Sequence, residues 1–272
     1  MSISVNLLRK HVLFFLIPIL ISIVYLGSTV LSSAAKKDKT IVTVNNLTWS
    51  CDLLNVEKHK DHINVSVQNN SNKAITAFVL TSRIDARTLF TFREEFAFSE
   101  GDNVIPPGQR YDKVIGIPET LNRKSEITLN LSCVVYEDGS SEGDQRIVQD
   151  VADSRLGWKI QIMKILPVLD KISALPETEL RSYWNEAAKQ ELDATLNAPD
   201  RDFALKLNKK SLNNDEPYNE SEHFKSGSRK GKETILRKYE ELKDLQEAQG
   251  TGALRDRIIE LSKLYTRIVN RP

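Results

Sequence analysis

Residues Val12 to Leu31 read VLFFLIPILISIVYLGSTVL and carry no charge, and Arg9 and Lys10 stand just ahead of them. A run of roughly 20 mainly apolar residues is long enough to span a bilayer. It constrains the rest of the chain, because whatever folds after it does so next to a membrane or beyond one. Two readings compete. In the first, residues 1–35 are an uncleaved signal-anchor. In the second they are a signal peptide, with Ser33 and Ala35 filling the small-residue positions before a cut at Lys36. Arg9 and Lys10 place the N-terminus inside, whereas Lys36, Lys37 and Lys39 just after the run nearly balance them. A short basic tail ahead of a first apolar segment favours N-in and C-out, which puts the soluble part outside the cytoplasm. No cysteine lies near the end of the run, so a lipid-modified cysteine there is excluded.

Roughly 240 residues follow, enough for one or two domains with a proper core. The formal net charge of the chain is +1, which gives no broad electrostatic footprint for nucleic acid. Two cysteines are present, Cys51 and Cys133. In an exported protein they could pair. Cys133 shares the alternation phase of Ile127, Leu129 and Leu131, which is expected to face the core, and Cys51 sits near the end of the first strand-like run. A Cys51–Cys133 disulfide would tie the first strand to a late one. The alternative is two buried free thiols, since cysteine behaves as a small hydrophobe.

Residues 36–142 read as a β domain. Ile41 to Trp49 is rich in Val and Thr, and Ile63, Val65 and Val67 alternate with polar partners, the pattern of a half-buried strand. Strand-like runs follow at Ala74–Asp85, Leu89–Phe98, Tyr111–Ile117 and Glu126–Tyr136. The breaks carry turn chemistry: Asn69-Asn70-Ser71-Asn72, Glu100-Gly101-Asp102-Asn103, Pro106-Pro107-Gly108 and Asp138-Gly139. Six or seven short strands in this arrangement predict an antiparallel sandwich.

The run INVSVQNNSNKAITAF, then IPPGQ, then a long alternating strand ending in YEDGS, resembles the immunoglobulin-like modules common in bacterial envelope proteins. The resemblance covers about 100 residues. It implies an immunoglobulin-like β-sandwich used for presentation or binding, and it carries over no functional residue, because fold does not fix function.

From Gly143 the hydrophobic period changes. Ile147, Val151, Trp158, Ile162, Ile165 and Leu169 fall on one helical face. Gly157 is expected to weaken this helix, and Pro167 to kink or end it. Leu180, Trp184, Leu192 and Leu196 form the stripe of a second helix after Pro176. Residues 143–198 therefore read as a helical segment packing on the sandwich. Residues 199–231 are polar and read as a flexible linker. Residues 232–272 resume helix: Ile235, Tyr239, Leu242 and Leu245 line one face, Gly250-Thr251-Gly252 breaks it, and Leu254, Ile258, Leu261, Tyr265 and Ile268 make a heptad seam. The fold expected is α+β: an N-terminal transmembrane or signal helix, an antiparallel immunoglobulin-like sandwich, then α-helices ending in a C-terminal helical hairpin.

Candidate chemistry is sparse. His59 and His62 form HxxH with Asp52 and Asp61 nearby, but they lie between strands rather than on a helix, and the cysteines are not placed to complete a zinc site. GSRKGK at Gly227–Lys232 fails the phosphate-loop pattern in both spacing and the residue after lysine. Its cations with Lys225 read as a basic stretch, with anionic polymer or lipid head groups as a weak second reading. Glu94-Glu95 sit on a strand, where neighbours point to opposite faces, and Glu137-Asp138 lead into a turn. No serine lies in a nucleophile elbow. Sequons begin at Asn46, Asn64, Asn69, Asn130 and Asn219.

No motif specifies a reaction, a metal or a cofactor. The sequence points to a membrane-anchored extracytoplasmic binding or structural module without catalytic activity. Its expected partners are the membrane, through residues 12–31, and a protein or second copy, through the C-terminal helices. Leu254, Ile258, Leu261 and Tyr265 are the candidate partner face. Packing of that face on the helix at Ile235–Leu245 is its competing explanation. The alternative function is an envelope enzyme whose active site is assembled from dispersed residues.

Overall fold

The computed structural model describes residues 41–84, 87–98, 104–119, 126–201, 203 and 221–271. The apolar run 12–31 lies outside the described residues, and no described helix is long and apolar enough to cross a membrane. The fold is α+β, with eight strands in two sheets followed by four helices among the described residues. The strands are β1 (Ile41–Asn46), β2 (Cys51–Lys58), β3 (His62–Asn69), β4 (Ile75–Ile84), β5 (Arg87–Glu95), β6 (Arg110–Gly116), β7 (Glu126–Tyr136) and β8 (Ser141–Gly143). The helices are α1 (Gln145–Ala174), α2 (Glu177–Glu186), α3 (Ala188–Asn197) and α4 (Glu222–Asn270).

One sheet has the order β1-β7-β4-β5, with β8 also on β7; the other is β2-β3-β6. Their inner faces share one core, to which Leu53, Val65 and Val67 contribute from the smaller sheet and Phe78, Leu80 and Leu129 from the larger. The expected all-antiparallel arrangement is corrected at one pairing: β1 runs parallel to β7, Ile41 opposite Glu126 through Asn46 opposite Leu131. The first strand-like run ends as a strand at Asn46, and Cys51, expected near its end, begins a separate strand in the other sheet. The chain crosses between sheets at Leu47–Ser50, held by a buried carboxylate: Glu142 accepts from the backbone N–H groups of Trp49 and Ser50 and from the Tyr136 hydroxyl, each at 3.0 Å. Three donors satisfy the charge that burial would otherwise penalise.

β7 changes phase part-way along. Ile127, Leu129 and Leu131 face the inter-sheet core, but Leu80 pairs with Leu131 and Val79 with Cys133, so Ser132 is an extra residue, a β-bulge. Beyond it Val134 and Tyr136 point inward, while Cys133 and Val135 point to the outer face beside Ala77 and Val79. Val151 of α1 covers that outer face.

α1 is capped by Asp144, whose side chain accepts from the Arg146 N–H at 3.0 Å. It runs through Pro167 to Ala174, so of the two outcomes expected at proline, a kink or an end, the helix does not end there. Proline removes one backbone donor, yet Ile165, Val168, Leu169 and Ile172 around it are all buried in the helical core. Each such side chain contributes roughly 1.5–3 kcal/mol on burial, enough to offset the lost bond. The first turns of α1 lie on the sheet and its second half is the central rod of a helical bundle.

α4 starts at Glu222, capped by Ser221, so residues 222–231 are helix and not linker. At Gly250 the backbone leaves the helix, with φ 86° and ψ −177°, a conformation glycine reaches without steric cost. Ile235 and Leu242 before the break and Leu261 and Tyr265 after it line the same small apolar gap in the bundle core, so the two arms lie side by side. The first arm crosses α1 at very close range. A Cβ on Gly227 would stand 2.0 Å from the Ser154 carbonyl oxygen, and one on Gly157 would stand 2.3 Å from that of Phe224. Gly231, one turn on, faces Trp158 and Gln161. Glycine at 157 thus costs helix propensity but permits backbone-to-backbone contact.

Alanine at position 227 is therefore expected to destabilise the protein by about 3 kcal/mol, the upper range for overpacking. Gly252 has open space around it, and alanine there is expected to stabilise by about 0.5–1 kcal/mol through helix propensity. Urea unfolding midpoints read both; a Gly227→Ala protein as stable as wild type would contradict the close crossing.

Candidate functional site

The heptad seam is internal. Leu254, Ile258, Leu261 and Tyr265 are 0–4% exposed and pack in the bundle core with α1, α3 and the first arm of α4. This corrects their assignment as a partner face: the stripe is apolar because it fills the bundle. Likewise Ile162, Ile165 and Leu169 of α1, expected to pack on the sandwich, are buried in this bundle core instead.

Cys51 and Cys133 are free. The bulge at Ser132 places them on opposite sides of the larger sheet, Cys51 in the inter-sheet core and Cys133 under α1, so of the two alternatives the pair of buried free thiols is the one found and the disulfide is not formed. Burial pushes the Cys51 thiol up to about 11 and the Cys133 thiol up to about 12. Both are protonated at neutral pH and neither is a nucleophile.

His59 and His62 stack at 4.5 Å in the β2–β3 turn, with His62 Nδ1 2.8 Å from Asp61 and His59 3.1 Å from the Asn64 amide. Among the described residues, no group of three or more His, Cys, Asp or Glu could hold a metal ion. The adjacent acids separate as strand alternation requires: Glu94 pairs with Lys113 at 2.9 Å, and Glu95 turns the other way. Asp138 pairs with Lys73 at 2.7 Å in the turn after β7. Of the sequons, Asn69 and Asn130 are buried, with side-chain amides bonded inside the fold.

Two polar clusters remain, one on each side of the Gly157–Gly227 crossing. The first is closed. Lys164, buried in α1, donates to the Ala198 carbonyl and to Asp200. Gln161 and Ser228 also donate to Asp200. Burial works against ionisation of Asp200, but these donors hold its carboxyl below the usual range. The cluster binds α1, the end of α3 and α4 to one another and uses up its own charges.

The second opens to solvent as a cleft of about 350 Å³ where the larger sheet, α1 and the first arm of α4 meet. Its floor is the end of β5. Arg155 of α1 donates from Nη2 to Glu95 Oε1 at 2.8 Å and to Thr76 at 3.0 Å, and from Nε to Glu95 Oε2 at 3.2 Å. Arg93 donates to the same carboxylate. Burial acts to raise the Glu95 pKa, and the two guanidiniums outweigh it and hold the carboxyl low. One wall is aromatic: Phe98 and Trp158 meet edge to face at 3.9 Å between centroids. The other is the α4 arm, where Lys230, Glu233, Thr234 and Arg237 recur at helical spacing. Of these, sequence reasoning singles out only Lys230 for a ligand contact, as part of a basic stretch with anionic polymer or lipid head groups as a second reading. The signal available was the spacing of Lys230, Thr234 and Arg237, four and three apart, across the boundary drawn at residue 231 between linker and helix.

Chemically the cleft offers cations, an aromatic wall and two hydroxyls, Ser154 and Thr234. Of its two carboxylates, Glu95 is committed to two arginines, and Glu233 lies on the α4 wall. Replacing Glu95 by Gln is expected to cost about 3 kcal/mol, because it strands two guanidiniums. Since the folded pKa of Glu95 is depressed, its stabilisation is fully present above an unfolded value of about 4.3 and is lost as pH falls through the folded value. Urea unfolding between pH 3 and 6 should show a steeper acid slope for wild type than for Glu95→Gln; parallel slopes would contradict the ion-pair assignment. Comparison of the chain with protein-family models, curated proteins and solved structures finds no match.

Proposed function

We propose that this chain is a membrane-anchored, extracytoplasmic binding module without catalytic activity, and that its binding site is the cleft between the β domain and the helical bundle. Residues 12–31 are its anchor, with the N-terminus inside. The two-sheet domain, with the immunoglobulin-like pattern of its sequence, is the platform, and the bundle built on α1 supplies the second lip. The observation that carries this reading is the cleft itself: about 350 Å³, at the low end of ligand-site volumes, walled by an aromatic pair and by side chains from three elements.

The same place would suit an active site assembled from dispersed residues. The side chains favour binding. General acid–base work needs a group that changes protonation near the working pH, and Glu95 is held ionised by Arg155 and Arg93. Neither hydroxyl in the cleft has a histidine beside it among the described residues. Cations beside an aromatic pair are suited to holding a ligand. The partner face formerly assigned to the C-terminal helices moves to the cleft side of α4, since their apolar seam is filled.

A photo-crosslinking residue at Thr234, in the cleft, is expected to give an adduct in intact cells, while one at Glu240, exposed elsewhere on the arm, gives none. Equal labelling at both positions, or at neither, would count against the cleft. External protease on intact cells or spheroplasts tests the address: digestion of residues 41–271 with Met1 retained in the membrane fraction is expected, and full protection would overturn the orientation.

A further inference from the structure

We propose that the junction cleft binds a small organic anion, its carboxylate or phosphate group held by Arg93 and Lys230 and its apolar part lying against Trp158 and Phe98. This rests on reading the cleft as a binding site and adds the chemical class of the ligand.

Charge is the first argument. On the floor two guanidiniums, Arg155 and Arg93, share the single carboxylate of Glu95. Their side chains are 10% and 23% exposed, and Glu95 is 19% exposed. One positive charge is thus left over in a half-buried place. Partly buried charges are stable only when paired and hydrogen-bonded. Of the two arginines on this carboxylate, Arg93 is the one that lines the cleft, while Arg155 bonds Glu95 and Thr76 without lining it. The Nε of Arg93 is buried and has no acceptor. The residue nevertheless lines the open cleft, and a guanidinium that shares its one carboxylate with a second arginine suits an oxygen anion, which arginine binds with a fixed fork of N–H groups.

The facing wall adds to the surplus. Lys230 has no ion-pair partner among the described residues, and Arg237 reaches only Glu241, at 3.8 Å. Glu233 is the one carboxylate on that wall. Lining charges therefore sum to a net positive field, focused by the low-dielectric sides of the cleft.

Shape and apolar lining give the rest. About 350 Å³ is the size of a small-molecule site. That admits a headgroup or a small aromatic acid but not a folded segment. The Phe98–Trp158 pair gives an apolar or planar portion a surface to lie on. Such an anion could be the headgroup of a membrane lipid or a free solute, and both present the same chemistry to Arg93 and Lys230.

The test uses the full chain in phosphatidylcholine nanodiscs, titrated calorimetrically with phenyl phosphate and with inorganic phosphate. Phenyl phosphate is expected to bind, and inorganic phosphate about tenfold more weakly, because it forgoes the aromatic wall. A Lys230→Glu/Arg237→Glu protein is expected to lose at least about tenfold in phenyl phosphate affinity, with an unchanged urea midpoint because both residues are exposed. Lys189→Glu, on α3, is expected to bind as wild type. Should the double variant misfold, Lys230→Ala alone carries the comparison, with a loss of several-fold expected. Phosphatidylglycerol in the discs distinguishes the sources: it suppresses phenyl phosphate binding if the ligand is a lipid headgroup and leaves it unchanged if the ligand is a free solute. Absence of binding by both phenyl phosphate and phosphatidylglycerol, or binding indifferent to position 230, overturns the proposal. If that happens while Thr234 still crosslinks selectively, the cleft remains a binding site and the anion assignment alone fails.

Discussion

The contact between α1 and the first arm of α4 at Gly157 and Gly227 sets the distance on which the rest of the molecule depends. Helices normally pack with axes 8–10 Å apart, separated by side chains. Here the absent Cβ atoms let carbonyl oxygens of one helix approach the backbone of the other. This draws the start of α4 down beside Ser154, at the level of the sheet, instead of leaving it a side chain's width away. Two consequences follow. Below the crossing, Ser228 comes within reach of Gln161 and Asp200, and the buried Lys164 cluster closes. Above it, Lys230, Thr234 and Arg237 are held over the end of β5, and the cleft exists because that overhang does. A bulkier residue at position 227 would lift the arm and undo both.

The second constraint is that α1 belongs to two cores at once. Val151 in its first turns packs on the outer face of the larger sheet, while Ile162 to Ile172 form the centre of the bundle. That outer face is apolar only because β7 changes phase at Ser132, which turns Cys133 and Val135 toward α1. Without the bulge those two side chains would crowd the inter-sheet core, and α1 would lie on Val134 and Tyr136. The extra residue is thus what makes the sheet two-faced, buried on both sides along this strand. It also separates the two cysteines, whose chemistry is that of core packing.

The strands were legible because alternation and turn residues both mark them: Ile63, Val65 and Val67 face inward as their spacing requires, and Asp138-Gly139 is a turn. The parallel pairing of β1 with β7 was not, because partner choice depends on where the chain crosses between sheets at Leu47–Ser50. That crossing is fixed by Glu142, more than ninety residues away in sequence. Phase in β7 failed for the same kind of reason, since one bulged residue inverts every later side chain. The heptad seam from Leu254 was visible as a seam, but a stripe does not say whether its partner is another chain or the preceding arm. GSRKG misled through composition. Its polar content suggested linker, whereas glycines four apart mark a helix face that another backbone can approach. The two cations between them line different hollows: Arg229 one beside Asp200 and Phe224, Lys230 the cleft at the end of β5.

The joint between sheet and bundle is polar where it could have been greasy. Arg155 reaches across from α1 to Glu95 and Thr76, and Arg271 at the end of α4 donates to the Ala97 carbonyl at 3.2 Å. Buried ion pairs contribute little net stability over a well-packed apolar contact, because desolvation consumes most of the attraction. What they supply is geometry: a bidentate guanidinium accepts one orientation of its carboxylate, where an apolar seam would tolerate sliding. The pair fixes α1 against β5 and leaves Arg93, the second claimant on Glu95, incompletely neutralised beside the cleft. A purely apolar joint would have held the two parts together without creating that surplus. The same arrangement that sets the angle between sheet and bundle therefore also charges the space between them.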